Sequence, residues 1–203
     1  MSDTSKPPDE RGARDQRHQR GHARQLARHW HAHDAAPPGA TSLHRLLEER
    51  SIWRTDGVGL VWTNGCFDLL HPGHIRFLAQ ARALGDLLIV GINDDASVRR
   101  LKGTSRPFVP LPGRISMLTA LRAVDHVVVL SGDTPTREIS ALRPDVACKD
   151  AQYAVLPLPE RAVVESYGGR MLLLPRDTTW STTSLARHVT ARHDAEDRPG
   201  ARQ

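Results

Sequence analysis

The chain has 203 residues, of which 39% are hydrophobic, 25% are charged and only 4% are aromatic. This length suits one domain with a sizeable core, because single domains usually contain about 100–200 residues, and it argues against two large domains. The two cysteines are far apart, and the chain shows neither an apolar leader nor a run of about 18 apolar residues. These features predict a soluble, cytoplasmic protein in a reducing compartment.

The first 40 residues are rich in arginine and histidine, and the whole chain has a net charge of +5. Arginines and histidines alternate there without apolar periodicity, and aspartates and glutamates are mixed among them. This composition predicts a disordered, solvated extension over residues 1–40. Nucleic-acid binding is the alternative, and the interspersed acidic residues argue against it. A second disordered tail is predicted at residues 194–203, which leaves a domain at residues 41–193.

From residue 42 onward, apolar runs alternate with helix-like segments. The predicted strands are GLVWTN at 59–64, DLLIVGIN at 86–93, HVVVL at 126–130, DVACK at 145–149 and MLLLP at 171–175. Helices are predicted at 42–50, 71–85, 96–101, 115–124, 135–142 and 159–167, and from Ser181 toward residue 192. Strands that are apolar throughout and alternate with helices predict an α/β fold with a doubly wound, Rossmann-like parallel sheet.

Ligands of such folds bind beyond the carboxyl ends of the strands, where the strand order reverses. The first predicted strand ends in TNGCFDLLHPGH, which places His71 and His74 at the start of a helix with Gly73 between them. Outward-pointing amides and the helix dipole favour an anion at that place, and both histidines can donate hydrogen bonds to phosphate. Two capping or core histidines are the alternative interpretation.

The string FDxxHxGH resembles the signature of the cytidylyltransferase-like nucleotidyltransferases. The similarity extends over residues 58–189 and is greatest to bacterial enzymes that adenylylate heptose 1-phosphate, through LGDLLIVGINDDASVRRLKG, SRP and RDTTWSTTSL. The resemblance implies a Rossmann-like nucleotidyltransferase fold. It also implies an enzyme that transfers AMP from ATP to a sugar 1-phosphate, releases pyrophosphate and gives an ADP-sugar.

The resemblance further implies roles for the residues at matching positions. The implied catalytic residues are His71, His74 and Lys102. The implied nucleotide-binding residues are Asn64, Gly65, Phe67, Gly73, Asn93, Asp94, Arg114, Arg176, Ser181, Thr182 and Thr183. Asp68, Lys149 and Tyr153 are implied to bind the acceptor substrate. Ordinary structural roles stay open for several of them, including a salt bridge for Arg114, a helix cap for Ser181 and an orienting role in the turn for Asp68.

The implied ligands are ATP or CTP, a small phosphorylated acceptor and Mg²⁺, and the chain could assemble as a homodimer. No carboxylate cluster is visible in the sequence, so magnesium would be held mainly by the triphosphate and water. Cys66 lies beside the motif without an acid–base partner that would make it a nucleophile.

One departure from the heptose enzymes concerns the loop after the fourth strand. Lys149-Asp150-Ala151-Gln152-Tyr153 stands where those enzymes have Lys-Gly-Gly-Asp-Tyr. The departure leaves the reaction class in place but weakens the assignment of base and acceptor. A cytidylyltransferase acting on glycerol 3-phosphate or another polyol phosphate is therefore a second candidate, and a non-catalytic nucleotide sensor is a third.

Overall fold

A computed structural model describes residues 36–155, 158–175, 180–182 and 185. The helices are α1 (Leu43–Thr55), α2 (Pro72–Arg82), α3 (Asp95–Lys102), α4 (Leu111–Thr119), α5 (Thr136–Leu142) and α6 (Pro159–Ser166). The strands are β1 (Leu60–Gly65), β2 (Leu87–Ile92), β3 (His126–Val129), β4 (Val146–Asp150) and β5 (Arg170–Leu174), with a 3-10 turn at Ala151–Val155.

The five strands form one sheet in the order β3-β2-β1-β4-β5, and every pair of neighbours is parallel. This arrangement confirms the predicted α/β fold with a parallel sheet. The strand order reverses between β1 and β4, which makes that pair the place where a ligand is expected.

The register of the sheet explains why it opens between β1 and β4. β1 pairs with β2 along its whole length, from Leu60 to Gly65. With β4 it pairs only at Val61 and Trp62, so the two strands separate toward their carboxyl ends. Two side-chain hydrogen bonds join the strands further along, from the Thr63 hydroxyl to the carbonyl of Cys148 at 3.0 Å and from the Cys148 thiol to the carbonyl of Trp62 at 3.5 Å.

The core consists mainly of aliphatic side chains from the central strands and the helices α2 and α4. Leu78 of α2 and Ile115 of α4 are fully buried in it, as are Leu88 and Val90 of β2. An aliphatic core agrees with the low aromatic content of the chain.

Several element boundaries differ from the sequence predictions. The predicted helix at 115–124 begins four residues earlier, at Leu111, because Pro112 suits a first helical turn, and it ends at Thr119. α1 continues beyond residue 50 to Thr55. The final predicted helix and the two predicted tails lie almost wholly outside the described residues. The predicted domain start at residue 41 stays a prediction, although Ala40 already packs against the core.

Candidate active site

A cleft of about 460 Å³ lies at the carboxyl ends of the strands. Among its lining residues are nine that the sequence implied: Asn64, Gly65, Phe67, Gly73, His74, Asn93, Lys102, Lys149 and Tyr153. They come from the ends of β1, β2 and β4, from α2 and α3, and from the 3-10 turn. The separation of β1 from β4 therefore creates a site of the size that small-molecule ligands occupy.

The turn between β1 and α2 is held in an unusual backbone conformation. Phe67 has φ of 46°, in the left-handed region that non-glycine residues rarely adopt, yet its side chain is only 6% exposed. Its ring contacts the position where a Cβ on Gly65 would lie, at 3.2 Å, and lies 5.4 Å from the His74 ring between centroids. Burial of the ring offsets the backbone strain and fixes the turn that leads into α2.

The two histidines of the motif occupy different positions. His71 is the N-cap of α2, and its Nδ1 accepts a hydrogen bond from the His74 amide at 3.3 Å. Their rings stack with centroids 3.8 Å apart. His74 lines the cleft, whereas His71 lines a shallow neighbouring depression with Leu70 and Ile75. The motif thus brings one imidazole into the cleft and places the other behind it.

The surroundings of His74 keep its imidazole neutral. Burial, followed by the nearby His71, lowers the pKa of His74 to about 4. Its Nδ1 is buried and has no hydrogen-bond partner among the described residues. A backbone hydrogen bond with Leu69 acts in the opposite direction on the pKa, so the neutral ring has one donor and one acceptor nitrogen to share between Leu69 and a ligand.

The two cleft lysines differ in environment. Lys102 is the last residue of α3 and is exposed at one side of the cleft. Lys149, at the end of β4, is buried, and its Nζ lies 3.1 Å from Oε1 of Glu160. Burial lowers the pKa of Lys149, although Glu160 acts in the opposite direction. Lys102 is thus a solvated cation, while Lys149 is already paired.

Arg114, which the resemblance assigned to the nucleotide, does not line the cleft. It is fully buried, and its guanidinium donates to the Cys66 and Asn93 carbonyls at 2.6 and 2.9 Å. It also donates to the Val109 carbonyl at 3.0 Å and pairs with the Asp95 carboxylate at 2.7 Å. Arg114 therefore joins the ends of β1 and β2 from beneath the cleft.

Asp68 is likewise placed outside the cleft lining. Its carboxylate pairs with Arg106 at 2.7 Å and accepts hydrogen bonds from the amides of Phe108 and Val109 at 2.7 and 3.0 Å. These contacts hold the loop before α4 against the β1–α2 turn, which matches the orienting role left open by the sequence.

The asparagines at the ends of β1 and β2 both line the cleft. The Asn93 side-chain amide donates to the Ser97 hydroxyl at 2.9 Å, while Oδ1 of Asn64 is buried without a partner among the described residues. Asp94 is outside the lining and caps α3 by accepting a hydrogen bond from the Ser97 amide at 2.6 Å. Asn64 therefore retains an acceptor for a ligand.

The described part of the C-terminal motif lies beside the same turn. Trp180 lines the cleft, and the Thr182 hydroxyl donates to the Leu69 carbonyl at 3.4 Å. Ser181 is not in the cleft lining; its carbonyl accepts from the Leu185 amide at 3.0 Å. The predicted site residues Arg176 and Thr183 lie outside the described residues.

Sequence reasoning missed three cleft residues with distinctive chemistry, namely Asp133, Glu160 and Trp180. Asp133 follows β3, so the rule of strand ends could have found it. Its carboxylate is bidentate to Arg100, a hydrogen bond that lowers the pKa of Asp133 to about 2. Trp180 lies within the segment RDTTWSTTSL that carries the family resemblance, whereas nothing local in the sequence marks Glu160 as a cleft residue.

Within the described ranges, no three His, Cys, Asp or Glu side chains are grouped so that they could hold a metal ion. Magnesium held mainly by a triphosphate and water, as Mg²⁺ chemistry permits, stays a prediction. Nor is any helix of the described part long and apolar enough to cross a bilayer.

The model of the family described as cytidylyltransferase-like matches residues 62–182, which is more than half of the chain. The chain therefore belongs to the cytidylyltransferase-like family, and its domain is that of a nucleotidyltransferase enzyme. The matched range contains the cleft residues that come from β1, β2 and β4, so the family assignment and the geometry concern the same site.

Named relatives include the bifunctional protein HldE of Methylococcus capsulatus, 49% identical over 156 residues that cover 76% of this chain and 33% of that protein. HldE of Syntrophotalea carbinolica is 43% identical over 169 residues, covering 83% and 34%. The chain thus spans about a third of the length of these relatives.

A solved structure with the same fold is the lipopolysaccharide core biosynthesis protein from Thermoplasma volcanium GSS1. It aligns with a TM-score of 0.50 and 21% identity over 60% of this chain and 98% of that chain. At this identity the likeness concerns the fold alone.

Proposed function

We propose that the protein transfers AMP from ATP to a sugar 1-phosphate of the heptose 1-phosphate type, forming an ADP-sugar and releasing pyrophosphate. The observation that carries the proposal is the position of His74, at a helix start inside a cleft at the point where the strand order reverses. The choice of substrate is supported by the resemblance of residues 58–189 to heptose 1-phosphate adenylyltransferases. A cytoplasmic location accompanies this proposal as a prediction.

The reaction needs positioning and charge stabilisation more than covalent catalysis. An oxygen of the acceptor phosphate attacks the α-phosphorus, a new P–O bond forms, and the bond to the pyrophosphate leaving group breaks. In the tautomer whose single N–H faces the cleft, His74, neutral at pH 7, donates a hydrogen bond that strengthens as negative charge develops, and Lys102 adds a solvated positive charge. His71 orients His74 by capping the helix and stacking on the ring. Magnesium enters with the triphosphate as part of the substrate.

A second candidate function is cytidylyl transfer to glycerol 3-phosphate or another polyol phosphate. The observation that favours it is that Asp150 and Gln152, which replace residues of the heptose enzymes, both line the cleft. Base choice depends on a few hydrogen bonds, so this changed loop could select a different base.

Pyrophosphate release by the purified protein tests both candidates. Each of four nucleoside triphosphates is combined with heptose 1-phosphate, with glycerol 3-phosphate and with no acceptor. We expect release with ATP and heptose 1-phosphate. Turnover only with CTP and a polyol phosphate would replace the substrate assignment, while nucleotide binding without release on any acceptor would indicate a sensor.

A further inference from the structure

We infer that Lys149 and Glu160 form a neutral recognition pair that binds the edge of the nucleobase, and that Lys149 is not a ligand of the acceptor phosphate. The inference rests on the proposed nucleotidyl transfer and specifies the ligand of one side of its cleft. It assigns a specificity role to Glu160 and changes the role that the resemblance implied for Lys149.

The two side chains form a close, buried pair that faces the cleft. Lys149 Nζ and Glu160 Oε1 are 3.1 Å apart, and the side chains are only 10% and 4% exposed. Both residues line the cleft, although they come from the end of β4 and the first turn of α6. The Lys149 ammonium also lies 5.2 Å from the centroid of the Tyr153 ring. Contacts from two elements thus fix the direction of the ammonium group.

The charge of the pair argues against a phosphate ligand. Lys149 and Glu160 together carry no net charge, so a phosphate brought to the ammonium also approaches a buried carboxylate. Repulsion between the two anions is weakly screened in a buried site, and it offsets the attraction to the lysine. The pair retains hydrogen-bonding capacity, since an ammonium has three donors and a carboxylate accepts several bonds. It is therefore suited to an uncharged group that carries both donors and acceptors.

The side chains around the pair favour a flat, largely apolar ligand. The cleft residues that come from the end of β4, the 3-10 turn and the start of α6 include Tyr153, Leu158 and Pro159, together with the polar Asp150 and Gln152. A nucleobase has two apolar faces and a few polar atoms on its edge, which matches aromatic and proline side chains with a small number of polar groups beside them. A sugar carries hydroxyls around its ring, and several would face apolar groups without hydrogen bonds, at a cost in free energy.

The opposite side of the cleft suits the anionic groups. His74 lies at the start of α2, where the helix dipole favours negative charge, and Lys102 is an exposed cation at the end of α3. The cleft is therefore divided: phosphates lie toward β1 and α3, and the base lies toward β4 and α6.

The test measures nucleotide binding separately from acceptor binding. Dissociation constants for ATP and CTP are determined calorimetrically without acceptor for the native protein and for Glu160→Gln, and KM for the acceptor is determined in turnover. We expect Glu160→Gln to weaken binding of the preferred nucleotide by roughly 10- to 100-fold. The ratio of the ATP and CTP dissociation constants should also change, because a side chain that contacts the base edge is altered. Acceptor KM should stay close to its native value.

Lys102→Ala is the matched comparison from the other side of the cleft. The triphosphate is common to both nucleotides, so this variant should weaken binding of ATP and of CTP by the same factor. The ratio of their dissociation constants should stay unchanged. A rise in acceptor KM for Glu160→Gln with unchanged nucleotide dissociation constants would overturn the inference and assign the pair to the acceptor.

A double variant, Lys149→Met with Glu160→Leu, separates a ligand role from a structural one. Replacing both members of a buried ion pair with apolar residues commonly preserves stability, whereas removing one member does not. We expect a melting temperature near the native value together with a lost preference between ATP and CTP. A stable double variant that keeps the native ratio of ATP and CTP dissociation constants would overturn the inference. This outcome is decisive even if Glu160→Gln alone fails to fold. Native protein that binds nucleotide but releases no pyrophosphate would overturn the proposed function alone.

Discussion

Two groups of polar residues lie at the same edge of the sheet and differ in how their hydrogen-bonding atoms are used. Arg114 and Asp68 make all their recorded contacts with other parts of the protein. His74 and Asn64 each have a buried polar atom without a partner among the described residues. Buried polar atoms are nearly always paired, so unpaired atoms in residues that line a cleft are candidates for ligand contacts. The first group therefore builds the site, and the second is available to a ligand.

The largest expected effect is on stability and concerns the first group. Arg114→Ala removes a buried guanidinium and leaves the Cys66 and Asn93 carbonyls and the Asp95 carboxylate without their partner. We expect the free energy of unfolding to fall by about 3–5 kcal/mol, measured by chemical denaturation. Arg114→Lys should recover only part of the loss, because lysine lacks the planar fork of donors.

The exposed Arg122, which follows α4, is the control for Arg114. Its replacement by alanine should change stability by no more than about 0.5 kcal/mol. A native unfolding free energy for Arg114→Ala, combined with much weaker nucleotide binding, would restore the nucleotide-binding role that the resemblance implied.

The second effect is on turnover and concerns the second group. His74→Ala should lower kcat by about 100- to 1,000-fold, equivalent to about 3–4 kcal/mol, because the lost hydrogen bond strengthens in the transition state. Nucleotide affinity should change much less, and the melting temperature less than in Arg114→Ala. The control is His44→Ala, a histidine of α1 outside the cleft, and near-native turnover of His74→Ala would remove His74 from the mechanism.

A third effect concerns pH. Burial lowers the pKa of His74 from its ordinary value of 6.5 to about 4 in the folded protein, so the unfolded chain takes up a proton first as pH falls. The stabilising contribution is fully present above pH 6.5 and is lost as pH falls toward 4. It amounts to on the order of 3 kcal/mol.

The measurement is the difference in unfolding free energy between the native protein and His74→Gln at several pH values from 7 to 4. Subtraction removes the contributions of groups common to both proteins, including His126. We expect the native protein to lose stability more steeply than the variant. Parallel profiles would show that the His74 imidazole titrates equally in the folded and unfolded states.

The smallest effect comes from Asp68. Asp68→Asn keeps the shape of the side chain but removes the charge that faces Arg106, so stability should fall by about 1–3 kcal/mol in thermal or urea unfolding. The KM values for nucleotide and acceptor should be unchanged. A raised acceptor KM in a fully stable variant would return Asp68 to the substrate-binding role implied by the resemblance.

The sheet and the motif could be predicted well because each depends on residues that are close together in the sequence. Continuous apolar runs such as DLLIVGIN identify buried parallel strands without knowledge of their neighbours. The string HPGH likewise shows its helix start through Pro72 and the N-cap His71. The sequence could not show that the strands β1 and β4 pair only briefly, because register depends on packing in three dimensions.

The remaining parts of the site depend on contacts between distant segments. A motif identifies Asp68 and Arg114 but does not show which atoms their side chains contact. Glu160 reaches Lys149 only because α6 starts beside the end of β4, so no spacing in the chain reveals the pair. The predicted residues were therefore mostly near the cleft, while their division between scaffold and ligand contacts required the structure.

The short pairing between β1 and β4 also has a mechanical consequence. The sheet has two parts, one formed by β3, β2 and β1 and the other by β4 and β5, whose ladder pairing is limited to two residue pairs and is supplemented by hydrogen bonds such as that from Thr63 to Cys148. His74 belongs to the first part and Lys149 to the second. A nucleotide that contacts both parts would stabilise the arrangement in which they lie together, because it binds that arrangement more tightly than one in which they have separated. Occupancy of the cleft and rigidity of the sheet would therefore be thermodynamically linked. Fluctuations that separate β1 from β4 would in turn weaken nucleotide binding.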